Sequence, residues 1–146
     1  MVEESQFESV RSREQRPHES VDIRSTFESV SVVIPTVREQ NFTAESLPDW
    51  IEPEIATEEG LNIARNRGIE RTDGDWIALV DDDVTFPTRL TAWLIDGMHP
   101  LHVAGLEDYW PMDSILGRFM IFHRSLWKHV GGFDESLPSS IDHDIW

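Results

Sequence analysis

Cysteine is absent from the 146 residues, so a disulfide framework, a thiolate metal site and a cysteine nucleophile are all excluded. Basic residues are scarce. There are 12 lysines and arginines against 28 aspartates and glutamates, for a formal charge of -16, and Lys128 is the single lysine. A surface of that sign repels phosphate, which excludes nucleic acid as a partner. Near-absence of lysine in so acidic a chain suits a cytosol kept at molar salt, where screening removes the self-repulsion that would loosen the fold. An ordinary acidic protein of dilute cytosol is the alternative. Long apolar runs are missing too. No stretch approaches the roughly 20 residues of a membrane span, and the acidic N-terminus has no basic region leading into an apolar core. The expectation is a cytoplasmic protein with no transmembrane segment, which leaves peripheral association with the inner face of the cell membrane open.

What remains is one domain's worth of chain. Residues 1–29 are rich in Glu, Ser, Arg and Gln with isolated apolar side chains, too few to offset the entropy of ordering. They read as a disordered acidic leader ahead of a domain over residues 30–146. "VSVVIPT", residues 30–36, is a β-branched run closed by proline and fits a doubly buried strand. "REQNFTAESLPDW" reads as loop, and "EPEIAT", residues 52–57, as a short second strand. In "GLNIARNRGIERTDGDW", Leu61, Ile63, Ala64 and Ile69 approximate one helical face, with the Asp73-Gly74 turn beyond it. "WIALV", residues 76–80, is the next strong strand. Strand, helix, strand at this spacing argues for an open α/β sheet. Pro87 opens a further helix, "LHVAGL" and "GRFMIFHR" are candidate strands, and "SLWKHVGGFDE" is a helical turn stopped by Gly131 and Gly132. The apolar Trp146 ends the chain in mid-pattern, as a truncated domain would.

Three aspartates follow "WIALV" directly. In an open α/β sheet, ligands bind outside the carboxyl ends of the strands, and strand alternation puts Asp81 and Asp83 on one face and Asp82 on the other. Two converging carboxylates raise each other's pKa unless a cation sits between them. A hard divalent ion takes oxygen ligands and shares the rest of its shell with substrate phosphates. The triplet therefore reads either as a metal-diphosphate anchor or as an acidic turn capping the helix that begins near Pro87. Arg65 and Asn66 precede it on the helix. A guanidinium there can pair with phosphate bidentately, or make an ordinary helix salt bridge with Glu58 or Glu59. A second acidic group, Asp134 and Glu135 followed by Asp142 and Asp144, comes after a glycine pair that forces a tight turn. It supplies a carboxylate on a separate segment, as a proton acceptor for an attacking hydroxyl requires, or it is a surface acidic helix start. "NFT", residues 41–43, matches a glycosylation sequon, a pattern common by chance and without a secretory signal to accompany it.

Taken in order, these blocks resemble the family 2 glycosyltransferases of the GT-A fold. "VSVVIPT" is similar to the family's first strand, "GLNIARNRGIERTDGDWIALVDDD" to its helix leading into the aspartate motif, and "GRFMIFHRSLWKHVGGFDESLPSSIDHD" to its acceptor-side block. The resemblance runs from Val30 to the C-terminus. It implies a GT-A type α/β fold, an open and mostly parallel Rossmann-like sheet flanked by helices and incomplete at its C-terminus. It also implies an inverting transfer of a sugar from a nucleotide-diphosphate sugar to a hydroxyl acceptor, glycan or lipid-linked, assisted by Mg2+ or Mn2+. Carried over by position, Asp81 contacts the nucleotide or donor sugar, with Arg65 and Asn66 beside it. Asp83 binds the metal, and Asp142 is the base that deprotonates the acceptor.

The departures are specific. Only about twenty residues separate the first strand from the "ARN" helix, and "EPEIATEEG" lacks the aspartate that holds the nucleotide base in the family, so the base-binding part is shortened. Where the family has Glu-Asp, this chain has Ile141-Asp142, which makes Asp144 a rival base and leaves His143 as a further metal ligand or a helix-surface residue. A catalytically inactive truncated remnant is one alternative. A sugar nucleotidylyltransferase is another, though "TVREQNF" lacks the glycine-rich loop such an enzyme needs after its first strand.

Overall fold

Two β-branched runs form the middle of a five-stranded sheet. A computed structural model describes residues 22–107 and 115–137. In chain order the elements are α1 (Ile23–Phe27), β1 (Val30–Pro35), α2 (Phe42–Ser46), β2 (Glu54–Ala56), α3 (Leu61–Glu70), β3 (Trp76–Val80), α4 (Thr88–Gly97), β4 (Val103–Glu107), β5 (Ile115–His123) and α5 (Arg124–Val130). The strand order is β2-β1-β3-β5-β4. β1 pairs in parallel with both β2 and β3, while β5 runs antiparallel between β3 and β4. Four strands thus point one way and β5 alone opposes them, which is the open, mostly parallel α/β sheet the sequence implied.

Burial on both faces explains the unbroken apolar runs of β1 and β3. On one face Val32, Ile34, Ala78, Val80, Phe119 and Ile121 pack with Phe27 of α1, Leu47 after α2, and Ala92 and Ile95 of α4. On the other, Val33, Ile77, Leu79, Met120 and Phe122 pack with Ile69 of α3, with Leu126 and Trp127 of α5 against them. Period-two alternation along each strand divides the two cores. At the edge of the sheet where β1 and β3 begin, Arg124 locks α3 down. Its guanidinium donates to the Gly74 carbonyl at 2.7 Å, the Ile69 carbonyl at 2.8 Å and the Thr72 hydroxyl at 2.8 Å. A cation on the last carbonyls of a helix also opposes its dipole.

Three local expectations are corrected. Helical structure begins ahead of Val30, within the stretch read as leader: Asp22 caps α1 by accepting from the Ser25 amide at 3.2 Å, and Phe27 is buried edge-on to Trp50 and Phe86. One aromatic anchor in a polar context is invisible to a periodicity test. The 1–21 part of that stretch lies outside the described residues. The segment read as loop contains α2, where Asn41 caps the helix through a 2.9 Å bond from the Ala44 amide. On α3, Ala64 and Ile69 are buried as expected, but Leu61 and Ile63 are only half-buried, and Arg65, Asn66 and Gly68 fill the rest of the buried face. Gly68 is there because a Cβ would stand 2.5 Å from Val33 Cγ1 and 3.2 Å from Ala56 Cβ; the helix lies too close to the sheet for any larger residue.

Candidate functional site

The acidic loop leaves the carboxyl end of β3 beside the carboxyl end of β1. Asp82 turns inward and is 6 % exposed. Its Oδ2 accepts from the Thr36 hydroxyl at 2.5 Å and lies 3.4 Å from Arg38 Nε. Thr36 Oγ1 in turn accepts from the Arg38 amide at 3.0 Å. Burying a carboxylate costs several kcal/mol unless it is paired and hydrogen-bonded, and this set supplies the pairing. Asp83 is exposed and Asp81 half-buried. The Asp81 amide donates to the Arg118 carbonyl at 2.9 Å, so the strand pairing of β3 with β5 continues one residue past Val80. Alternation therefore places Asp81 with Ile77 and Leu79, on the face that α3 covers.

α2 fixes the backbone of this loop. The Thr43 hydroxyl donates to the Asp81 carbonyl and accepts from the Val84 amide at 2.9 Å, while the Thr43 amide donates to the Asp82 carbonyl at 3.1 Å. Ser46 Oγ accepts from the Phe86 amide at 2.9 Å and donates to the Thr43 carbonyl at 2.8 Å. Thr43 and Ser46 stand three apart, on one helical face, so a helix of five residues reads the whole turn. Thr43 is fully buried, which also removes any glycosylation sense from the Asn41-Phe42-Thr43 triplet. Pro87 stands at the N-cap of α4, with no side-chain bond there. The reading of the aspartates as a helix cap is thereby set aside.

The third block docks on the second through Asn66. Its Oδ1 accepts from the Phe133 amide at 2.9 Å and from Trp127 Nε1 at 3.1 Å, and its Nδ2 donates to the Phe133 carbonyl at 2.9 Å. Asn62 Nδ2 donates to the Asp134 carbonyl at 2.9 Å, and Arg67 Nη2 lies 3.2 Å from Glu135 Oε1. Gly131 and Gly132 turn the chain into this arrangement at φ 87° and 82°. A Cβ on Gly132 would meet Asn66 Oδ1 at 2.9 Å. Arg65 is 0 % exposed, donates to Asn62 Oδ1 at 3.1 Å and carries the Phe133 ring 5.3 Å from its guanidinium carbon. Glu58 is taken up by Arg71 instead. On the exposed turn, the Ser136 hydroxyl and amide both bond Asp134 Oδ1, at 2.6 Å and 3.0 Å, and hold its carboxyl below the usual range.

Among the described residues no group of three or more carboxylates and imidazoles could enclose a metal ion; Asp82 is tied to Thr36, and Asp83 is the exposed carboxylate of the loop. That fits Mg2+ or a similar hard ion only in its open mode, with one or two carboxylates and the remaining shell from water and a phosphate-bearing substrate. Asp142, His143 and Asp144 lie outside the described residues. The roles of Thr36, Thr43, Ser46 and Asn62 were not legible in advance, though Asn41 as a helix cap three residues before Ala44 was a usable signal for α2.

Comparison with known proteins bears on the fold and on one span of the sequence. Residues 54–99 match the sequence model of Glycosyl transferase family 2, a span from β2 to just past α4 that holds Arg65, Asn66 and the three aspartates. No curated protein matches the chain. Among solved structures, the fold is similar to the mannosyltransferase PcManGT from Pyrobaculum calidifontis in complex with GDP-Man and Mn2+. The TM-score is 0.57 at 15% identity, covering 80% of this chain and 50% of that one. The fold is thus of the GT-A type, and the chain spans half the length of that solved relative. The second strand and the helix before it, expected to be curtailed, exist here as β2 and α2 in short form. No described helix is long and apolar enough to cross a membrane.

Proposed function

We propose that the chain forms the donor-binding sheet of an inverting glycosyltransferase, one that moves a sugar from a nucleotide-diphosphate sugar to a hydroxyl of a glycan or lipid-linked acceptor. The observation that carries this reading is a coincidence of position. The span matching family 2 contains the acidic loop, and that loop is the one pinned at the carboxyl edge of the sheet, where ligands of open α/β folds bind. Asp81 contacts the nucleotide or donor sugar on the α3 face, and Arg65 backs that face. Asn66 serves the donor side by holding residues 132–134 against α3. Asp83 holds Mg2+ or Mn2+ together with donor phosphate, and the ion when bound supplies positive charge opposite the departing diphosphate. Asp142, or Asp144 in its place, accepts the proton of the acceptor hydroxyl as that oxygen attacks the anomeric carbon from the face opposite the diphosphate. The acidic composition suits a cytoplasmic setting at molar salt, with the acceptor met at the inner membrane face.

The test is calorimetric titration of nucleotide sugars, UDP- and GDP-linked, in high-salt buffer with and without Mn2+. Binding is expected only with the cation, and is expected to vanish in Asp83→Asn. Wild-type binding that a chelator leaves untouched refutes the metal-assisted reading.

A further inference from the structure

Arg118 enters none of the ion pairs among the described residues, and no role was assigned to it from the sequence. The antiparallel register of β3 with β5 sets Val80 opposite Phe119, and the 2.9 Å bond from the Asp81 amide to the Arg118 carbonyl extends it by one pair. Residues directly opposite in an antiparallel ladder share a face, with Cβ atoms roughly 5 Å apart. Leu79 and Met120, the pair two residues back, both lie in the core under α3, so Arg118 and Asp81 emerge together on that face at the carboxyl edge. Arg118 is exposed. Four other arginines are engaged: Arg38 beside Asp82, Arg67 with Glu70 and Glu135, Arg71 with Glu54 and Glu58, Arg124 with the end of α3. The Arg118 side chain makes no hydrogen bond or ion pair with any described residue. In a chain of charge -16, a guanidinium left available at this acidic edge is a cation where anions predominate, and its planar fork suits a carboxylate or phosphate.

We infer that Arg118 is a donor-recognition residue whose guanidinium takes an anionic group of the sugar nucleotide, either a diphosphate oxygen or a carboxylate on the sugar. This rests on the function proposed above. It goes further by naming the residue that discriminates donors by charge.

The experiment is titration of the full chain in Mn2+ buffer with UDP, UDP-glucose and UDP-glucuronate, and with GDP and GDP-mannose, comparing wild type, Arg118→Gln and Arg118→Lys. Loss of one charged hydrogen-bonding contact is expected to weaken binding about 10- to 100-fold in Arg118→Gln, with Arg118→Lys between the two. Equal weakening for the free diphosphates and all sugar nucleotides assigns the contact to diphosphate. Weakening confined to the glucuronate donor assigns it to a sugar carboxylate. Wild-type binding with Arg118→Gln unchanged for every probe overturns the inference alone. A wild type that binds none of the probes overturns the proposed function and the inference with it. Matching circular dichroism and thermal midpoints confirm that the exposed substitutions leave the fold intact.

Discussion

The Thr36 hydroxyl bonds Asp82 Oδ2 at 2.5 Å, joining the carboxyl ends of β1 and β3. Of three adjacent aspartates, the middle one is therefore a structural tie between neighbouring strands. Its ion pair with Arg38 adds little, because that side chain is 70% exposed and screened by water. The loop separates its charges by burying Asp82 and exposing Asp83.

Stability and binding should divide along that line. Asp82→Ala leaves Thr36 without its acceptor and is expected to cost about 2 kcal/mol, read as a lowered urea midpoint. Asp83→Asn, at an exposed position, is expected to leave the midpoint within about 0.5 kcal/mol while removing Mn2+-dependent donor binding. Equal effects of both substitutions on both measurements would contradict the assignment.

Thr43 is the second structural prediction. Replacing its hydroxyl by a methyl in Thr43→Val keeps the volume but strips the Val84 amide of its acceptor and the Asp81 carbonyl of a donor. The expected loss is about 1–3 kcal/mol, with weaker donor binding because the loop is no longer held in place. Thr43→Ser retains the oxygen and should recover most of both. A serine variant as damaged as the valine one would show that packing, and not the hydroxyl, matters at this position.

Asn66 ties the helix to the glycine turn through the amide and the carbonyl of Phe133 and through Trp127. Asn66→Ala is expected to cost about 2–3 kcal/mol and to expose the segment after Gly132 to amide hydrogen exchange faster than the strands. Uniform acceleration across the chain would argue that the tie is not local.

Much of the fold was legible, because β1, β3 and β5 are continuous apolar runs and a buried strand has few other sequence forms. The buried polar features were not. Arg65 and Asn66 interrupt the apolar face of α3, so periodicity assigned Leu61 and Ile63 to positions that polar partners share. α2 was missed because five residues carry less than two turns of pattern, and its role lies in hydroxyls that bond backbone across 38 or more positions in sequence. In the acidic loop, strand alternation set Asp82 apart from its neighbours, and Asp82 is the one the structure buries. What that aspartate bonds to needed β1 beside it.

Gly68 tests the approach of α3 to β1. Alanine gains about 1 kcal/mol of helix propensity, yet its Cβ would meet Val33 Cγ1 at 2.5 Å, and overpacking of that kind costs about 1–3 kcal/mol. Gly68→Ala is expected to lower the thermal midpoint, and Gly68→Ala with Val33→Ala to recover part of the loss. An unchanged or higher midpoint in the single variant would mean that the helix moves away freely.

Acid sensitivity should arise at the outer corner of the sheet. There Arg71 bonds Glu58 and Glu54, and the hydrogen bonds from Arg71 and from its own backbone lower the Glu58 pKa, burial opposing them. A carboxyl whose folded pKa is depressed contributes stability that is fully present above the unfolded value, about 4.3 for glutamate. That stability is lost as pH falls through the lower folded value. Glu58→Gln is therefore expected to be less stable than wild type at pH 7, by under about 1 kcal/mol for a pair so near the surface, and the difference should close as the pH is taken below the ordinary glutamate range. Since the interaction is between exposed charges, molar KCl should shrink it at neutral pH as well. Urea midpoints of the two proteins across pH 7 to 3 measure the gap directly, and a gap that widens on acidification would reverse the sign assigned to Glu58.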